Sequence, residues 1–389
     1  RAFAIFNSAR PRPVHIELPL DVITAEASHL RLPQIVQSTR PAPAADAIQQ
    51  AASLLKQAQN PLLIFGGGAA HAAEAAQALA EKLGALSVLT INGKGILPPA
   101  HPLSLGSTLP QTPILNLLRD ADVVLAVGTE LGETDTLLFD GKPEITGKLI
   151  RIDIDPEQLY RNAEPTLAIT ADSNWALQAL VTALNEHRPL RHTVAQAQTL
   201  RIELQTLLSP TQTVHQRVIA SMRAVKPETI IVGDQNQPVY TGNLTDEPDT
   251  VHAWFNSSTG YGTLGYALPA AIGAKIANPE RPVLSLIGDG GLQFTLPELA
   301  TAVEQGLALP IVVWNNHCYG EIKRYMLERD IPTIGVNIYT PDLLTIARGY
   351  GCHAVQASSL VDLQAQLKQA YQATKPTLIE INETDALQW

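Results

Sequence analysis

The stretch that decides the fold runs from Leu284 to Asn316, LSLIGDGGLQFTLPELATAVEQGLALPIVVWNN. It opens on an apolar, β-type run that ends in a glycine turn around Asp289. A helix-length segment follows, then a second apolar run, then Asn315 and Asn316. Strand, helix and strand in that order read as a right-handed crossover between neighbouring parallel strands. Such a crossover sets the carboxyl ends of its two strands side by side, where open α/β sheets bind ligands. Asp289 and Asn316 therefore belong to one edge of one sheet. Gly288, Gly290 and Gly291 let backbone N–H groups approach a phosphate. One carboxylate, one amide oxygen and nearby carbonyls suit Mg²⁺, which takes few protein ligands and completes its shell with phosphate oxygens. Two ordinary αβ turns that happen to be polar are the plainer alternative. The pattern GDG, 24 residues, then NN favours a Mg²⁺–diphosphate site.

Outward from this stretch, buried-strand patterns alternate with helical ones in two blocks. The first spans residues 44–186, with strands in PLLIFGGG, LSVLT, DVVLAVG and KLIRIDID and helices in AIQQAASLLKQA and AAEAAQALAEKLG, the latter stopped by Gly84. The second spans 207–389, with strands in TIIVGD, VLSLIGDG, PIVVWNN, HAVQ and PTLIEIN. Alternation of this kind predicts doubly wound parallel sheets. Residues 23–43 are proline-rich and read as a linker. Residues 187–206 are polar and helical and read as a second linker. Val14–Leu18 reads as one closing strand of something earlier. The expected fold class is thus α/β: two doubly wound parallel-sheet domains, a central Rossmann-like one and a diphosphate-binding one, preceded by a remnant of a third α/β domain in residues 1–22.

Bulk properties exclude several function classes. With 27 basic against 37 acidic residues the net charge is −10, which gives no support to nucleic-acid binding. No run of about 18 apolar residues and no signal-peptide pattern is present, so no membrane partner is expected and a cytoplasmic location is. Two cysteines, Cys318 and Cys352, in so long a chain fit a reducing compartment.

The GDG…NN stretch resembles the diphosphate-binding motif of the thiamine-diphosphate enzymes, and the resemblance runs through the chain. RPRPVHIELPLDV looks like the end of that family's pyrimidine-binding domain, and RIDIDPEQLYRN matches a strand and turn of its central domain. The branch it is most similar to holds acetolactate synthase, benzoylformate decarboxylase and 5-guanidino-2-oxopentanoate decarboxylase. The resemblance implies thiamine diphosphate and Mg²⁺ as cofactors. Asp289 and the Asn316 side chain would ligate the metal together with the backbone carbonyl of Cys318. Gly290 and Gly291 would offer amides to the diphosphate, beside Gly288. In GDQNQPVYTGN, Gln235 and Asn236 would bond phosphate oxygens. In SSTGYGTLGYALPAAIG, Gly262 would accept from the cofactor's amino group through its carbonyl, and Leu264 would contribute its N–H and wedge the cofactor into its bent form.

The implied activity is non-oxidative decarboxylation of a 2-oxo acid, ending in an aldehyde. Carboligation of the acetolactate-synthase type is the alternative, and a non-catalytic cofactor-binding subunit or fragment is another. The family's activating glutamate lies upstream of PVHIELPLDV, and Glu17 does not take that role. Activity is therefore expected only with a complete pyrimidine-binding domain, in a homodimer or homotetramer with sites at subunit interfaces. Val127–Gly141, VGTELGETDTLLFDG, carries acids and no arginine where acetolactate synthases carry basic residues. The central domain is accordingly read as structural rather than flavin-binding.

Substrate choice is read from NNHCYGEIKRYMLERD. Glu321 and Tyr325 are four apart and share a helix face, at positions that face the substrate in related decarboxylases. A carboxylate there favours a 2-oxo acid with a cationic tail such as a guanidino group, with Glu321 as its partner. Alternatively, Glu321 pairs with Lys323 or Arg324 on a solvated face.

Overall fold

The computed structural model describes residues 2–31, 34, 36, 38–139 and 141–389. The first of two parallel sheets is built from β1 (Pro61–Phe65), β2 (Leu86–Leu89), β3 (Val123–Val127), β4 (Lys148–Asp153) and β5 (Leu167–Thr170), in the order β2-β1-β3-β4-β5. β1 and β3 are apolar along their whole length because helices cover both faces. Leu63, Phe65, Leu125 and Val127 point into one core with the helices Ala45–Gln57, Ala73–Leu83 and Ser173–Ala183. Their neighbours Leu62, Ile64, Val124 and Ala126 point into the other, against the helix Thr112–Asp120. Gly84 ends the second of these helices in the left-handed conformation, φ +62°, as its place in the sequence predicts.

The second sheet holds β6 (Ile230–Gly233), β7 (Trp254–Asn256), β8 (Val283–Gly288), β9 (Pro310–Asn315), β10 (His353–Gln356) and β11 (Thr377–Asn382). Its order is β10-β11-β9-β8-β6-β7, and every pair is parallel. Val283, Ile287, Ile311 and Val313 face one core; Leu284, Leu286, Val312 and Trp314 face the other. The chain leaves β6 outward to β7 and then returns to β8 on the opposite side. The strand order therefore reverses between β6 and β8, which is where a ligand crevice forms in such sheets. The quoted stretch is the β8–β9 crossover, carried by the helices Asp289–Thr295 and Glu298–Glu304.

Three expectations need adjusting. Val14–Leu18 is exposed and belongs to no strand, because no sheet edge lies beside it to satisfy its backbone. Arg12 instead ties this segment to the first unit through Asp155 at 2.8 Å. Within 187–206, the segment Thr193–Thr206 is helical as read, and it lies on the first unit, with Ala197 and Leu204 buried in its core. Arg201 holds it there by bonding the carbonyls of His101 and Ser104 at 2.5 and 2.6 Å. Finally, β5 and β7 are short edge strands additional to those read from the sequence, which do include the equally short β2 and β10.

Candidate functional site

The site is assembled from the loops that follow β6, β8 and β9. Gly288 pairs with Trp314 across β8 and β9, so Asp289 and Asn315 emerge next to one another, as the crossover argument requires. Asp289 begins the helix Asp289–Thr295 and is 1% exposed. Its Oδ2 accepts a bond from the Thr340 hydroxyl, and no hydrogen bond engages Oδ1 among the described residues.

The two asparagines divide their work. Asn315 is buried and donates to Glu380 of β11 at 2.6 Å while accepting from His317 N at 3.2 Å. It braces the strand end. Asn316 is half-buried and more lightly engaged: its Oδ1 takes the Cys318 N–H at 3.3 Å and its amide reaches Gln237 at 3.4 Å. The turn is sharp enough that His317 adopts φ +54°. It is fixed from outside, because Tyr319 N donates to Val336 O at 2.8 Å and Ile338 N to His317 O at 3.2 Å. Burial raises the Cys318 thiol above its ordinary range, so it stays protonated.

The glycines have a reason beyond ligand approach. A Cβ on Gly290 would lie 2.8 Å from the Tyr319 ring, and one on Gly291 would lie 2.7 Å from Asp234 Oδ2. Asp234, at the end of β6, escaped the sequence reading. It is fully buried, and its carboxylate accepts from Gln235 N at 2.7 Å and Gly265 N at 2.8 Å. Burial pushes its pKa up while these N–H bonds pull against the shift. One side chain thus ties the β6 loop, the β8 turn and the 262–265 segment together. The available signal was the repeat of Gly-Asp after a strand, Gly233-Asp234 and Gly288-Asp289, on the two sides of the switch point.

Gln235 sits at the mouth. Its amide donates to the hydroxyls of Ser257 and Ser258 at 2.9 and 3.2 Å, and its oxygen accepts from Tyr240. Burial first, then the nearby Glu321 carboxylate, pushes the Tyr240 hydroxyl up, so it remains a donor. Asn236 is spent locally: it caps the helix Gln237–Thr245 through Val239 N at 3.0 Å and donates to Leu286 O at 3.1 Å. Gly262, at φ +67°, is exposed beside Gln235, and Leu264 is half-buried.

A cavity of about 820 Å³ opens beside this crevice. Gln235, Gly262, Glu321 and Tyr325 all line it, together with Tyr240, Arg324 and Glu328, and residues of the first sheet's loops, Ile91 and Asp135 among them. Asp289, Gly290, Gly291, Asn316 and Cys318 stand at the neighbouring strand ends and do not line it. Glu321 pairs with Arg324, as the plainer reading held, and Arg324 also reaches Glu328. The guanidinium rests 4.4 Å from the Tyr325 ring centroid. Asp135 keeps Oδ1 on Ile91 N at 3.0 Å, and burial raises its pKa to about 6.

The donor set fits a diphosphate-bound Mg²⁺. No group of three or more His, Cys, Asp or Glu side chains gathers among the described residues. A cation here would rely on one buried carboxylate, an amide oxygen, a carbonyl and ligand oxygens, which is what Mg²⁺ accepts.

Comparisons with known proteins identify the family. Residues 241–381 match the C-terminal TPP-binding domain of thiamine pyrophosphate enzymes, and residues 48–180 match their central domain. The probable 2-ketoarginine decarboxylase AruI of Pseudomonas aeruginosa is 40% identical over 391 residues, covering 99% of this chain and 69% of that protein. Acetolactate synthase isozyme 1 large subunit of Escherichia coli is 31% identical over 393 residues, covering 98% and 68%. Acetolactate synthase 2 of Zea mays is 29% identical over 408 residues, covering 98% and 63%. With both domain matches and these identities, the chain belongs to the thiamine pyrophosphate enzymes, related both to the probable 2-ketoarginine decarboxylase and to the acetolactate synthase large subunits.

Proposed function

We propose that the protein carries out the thiamine-diphosphate- and Mg²⁺-dependent, non-oxidative decarboxylation of a 2-oxo acid whose side chain ends in a cation, 5-guanidino-2-oxopentanoate being the model substrate. The observation that carries the substrate class is the charge of the cavity wall. Glu321, Glu328 and Asp135 line it against Arg324, while His215, which also lines it, is held neutral by burial. Arg324 shared between Glu321 and Glu328 leaves that triad one negative charge in excess, and Asp135 has no basic partner among the described hydrogen bonds. A negative wall repels the carboxylate of a small neutral-tailed 2-oxo acid and attracts a guanidinium. The 40% identity to a protein named as a 2-ketoarginine decarboxylase supports the same class.

When bound, thiamine diphosphate supplies the electron sink that decarboxylation needs. The chain's own residues hold and orient. Asp289, the Asn316 side chain and the Cys318 carbonyl hold the Mg²⁺. The backbone N–H groups of Gly290 and Gly291, with Gln235, meet the diphosphate. Asn236 acts on the same loop indirectly, since it is buried and stands off the cavity that Gln235 lines. Gly262 and Leu264 receive the pyrimidine end. Tyr240 fixes the orientation of Gln235, and Glu321 receives the substrate cation after releasing part of its hold on Arg324.

The test compares kcat/KM for 5-guanidino-2-oxopentanoate, pyruvate and benzoylformate in a polypeptide that includes a pyrimidine-binding domain. Wild type should prefer the guanidino acid. Glu321→Gln should weaken that substrate alone, by about 1–3 kcal/mol in transition-state stabilisation. An equal loss on all three, or a wild-type preference for pyruvate with hydroxyketone product, would replace this reading with the acetolactate-synthase-like carboligase.

A further inference from the structure

Lys94 is 1% exposed, and no step above uses it. It follows the 3₁₀ turn after β2, in the first unit, yet its partners lie mostly in the second. Its Nζ donates to Asp246 O at 2.6 Å, to Glu247 Oε1 at 3.2 Å and to the Ser107 hydroxyl, and stands 5.9 Å from the centroid of the buried Trp254 ring. An ammonium so enclosed is tolerated only when its protons are all satisfied, and here three acceptors meet three protons. Removing one partner of such a set leaves the other charge buried and unpaired.

The bonds continue from there. The Ser107 hydroxyl lies 2.6 Å from Asn243 O and 2.8 Å from Glu247 Oε1, and Ser107 N donates to the same carboxylate at 2.8 Å. Asn243 is buried, and its Oδ1 accepts from Trp254 Nε1 at 3.0 Å and Asn256 Nδ2 at 2.7 Å. Asn256, also buried, caps the following turn through Ser258 N at 3.0 Å. That turn carries the Ser257 and Ser258 hydroxyls that hold Gln235, and Ser257 O receives the N–H of Gly262 at 2.9 Å. Two glycines let the first unit come this close: a Cβ on Gly95 would meet the Thr250 backbone at 2.2 Å, and one on Gly106 would meet Glu247 Oε1 at 2.7 Å.

From this continuous path, Lys94–Ser107–Asn243–Asn256–Ser258–Gln235, we infer that Lys94 of the central unit is a positioning residue for the cofactor-receiving turn 256–262 of the other unit. The inference rests on the reading that Gln235 and Gly262 receive thiamine diphosphate. Lys94 acts through others and touches no reacting atom. A buried, hydrogen-bonded network orients its members more sharply than separate bonds would, so a break at its far end should loosen the turn.

The experiment measures the thiamine diphosphate Kd in Mg²⁺ buffer and amide exchange of residues 256–262 in the cofactor-free protein. It uses the full-length protein and the variants Lys94→Met, Asn256→Ala, the double variant and Gln235→Ala. Lys94→Met, in protein that remains folded, should raise Kd about tenfold and speed exchange of the turn. The double variant should lose no more than the worse single variant, since both act on one path. Should Lys94→Met fail to fold, Lys94→Met/Glu247→Gln removes the stranded charge, and its Kd should stay raised although its stability recovers. Unchanged Kd and exchange in folded Lys94 variants, or losses that multiply in the double variant, would overturn the inference. Gln235→Ala separates the two levels. If it leaves Kd unchanged, the site assignment itself fails; if it weakens binding while the Lys94 variants do not, only the positioning role fails.

Discussion

At the scale of single residues, His215 shows how burial sets a protonation state. It is 2% exposed, its Nδ1 lies 3.0 Å from the Thr241 hydroxyl, its ring meets Trp314 edge-on at 5.0 Å, and Nε2 has no partner among the described residues. Burial lowers its pKa from 6.5 to about 4. The unfolded chain therefore binds more protons than the native one between those two values. Stability from the neutral ring is complete above pH 6.5 and is lost as the pH falls from there towards 4. Asp135 titrates with the opposite sign, because its pKa is raised to about 6: native protein binds its proton more readily, so stability from this group grows on acidification. The two offset each other in wild type. The His215 contribution is best read as a difference, with urea unfolding at pH 7 and pH 4.5. His215→Gln should lose less stability than wild type across that interval, by about 1–3 kcal/mol. Parallel losses would mean that the imidazole titrates in the native protein as it does in the unfolded chain.

At the scale of elements, the turn after β1 separates two meanings of a glycine run. Gly66–Gly68 looks in sequence like an anion-binding turn feeding a helix, with packing as the alternative. A Cβ on Gly66 would sit 2.2 Å from Gly128 O, and one on Gly68 would sit 2.8 Å from Gly128 Cα. The two turns at the first sheet's switch point are thus pressed against each other, and the glycines serve that contact. Gly66→Ala should destabilise the protein by about 1–3 kcal/mol, through overpacking against backbone that cannot yield, and thermal unfolding measures it. Together with the acidic run at Thr129–Asp135, this packing leads to a second expectation. Purified protein should show no stoichiometric flavin absorbance; a retained yellow chromophore would reassign the first unit. Elements of this kind were legible wherever a full apolar run or a cap was present, as at β8, β9 and Gly84. The edge strands β5 and β7 were not, although β2 and β10, also short and at edges, were: at three or four residues composition alone decides little.

At the scale of the whole molecule, the parallel-sheet architecture could be read from alternation, but the network joining the two units could not. Asp289 and Asn316 were legible because a crossover fixes where its strand ends go. Asp234 and Lys94 were not, because each earns its role from partners distant in sequence: Gly265 is 31 residues away and Glu247 is 153 away. Each sheet has its own pair of cores, with Ile91 of the first unit packed into one of the second's, and the bonds of Lys94 across the units are polar. Ligand energy gained at the β6–β8 crevice should therefore remain largely in the second unit. Cofactor at a hundredfold its Kd stabilises the form that binds it by about 2.7 kcal/mol. In the full-length protein, thiamine diphosphate with Mg²⁺ should slow amide exchange strongly in β6, β8 and β9 and only weakly in β1, β3 and β4. Asp289→Ala removes the one buried carboxylate of the cation site, so it should abolish that protection while leaving cofactor-free exchange near wild type. Equal protection of both sheets would show that the units unfold as one. Protection that survives in Asp289→Ala would show that the cation and its diphosphate sit elsewhere.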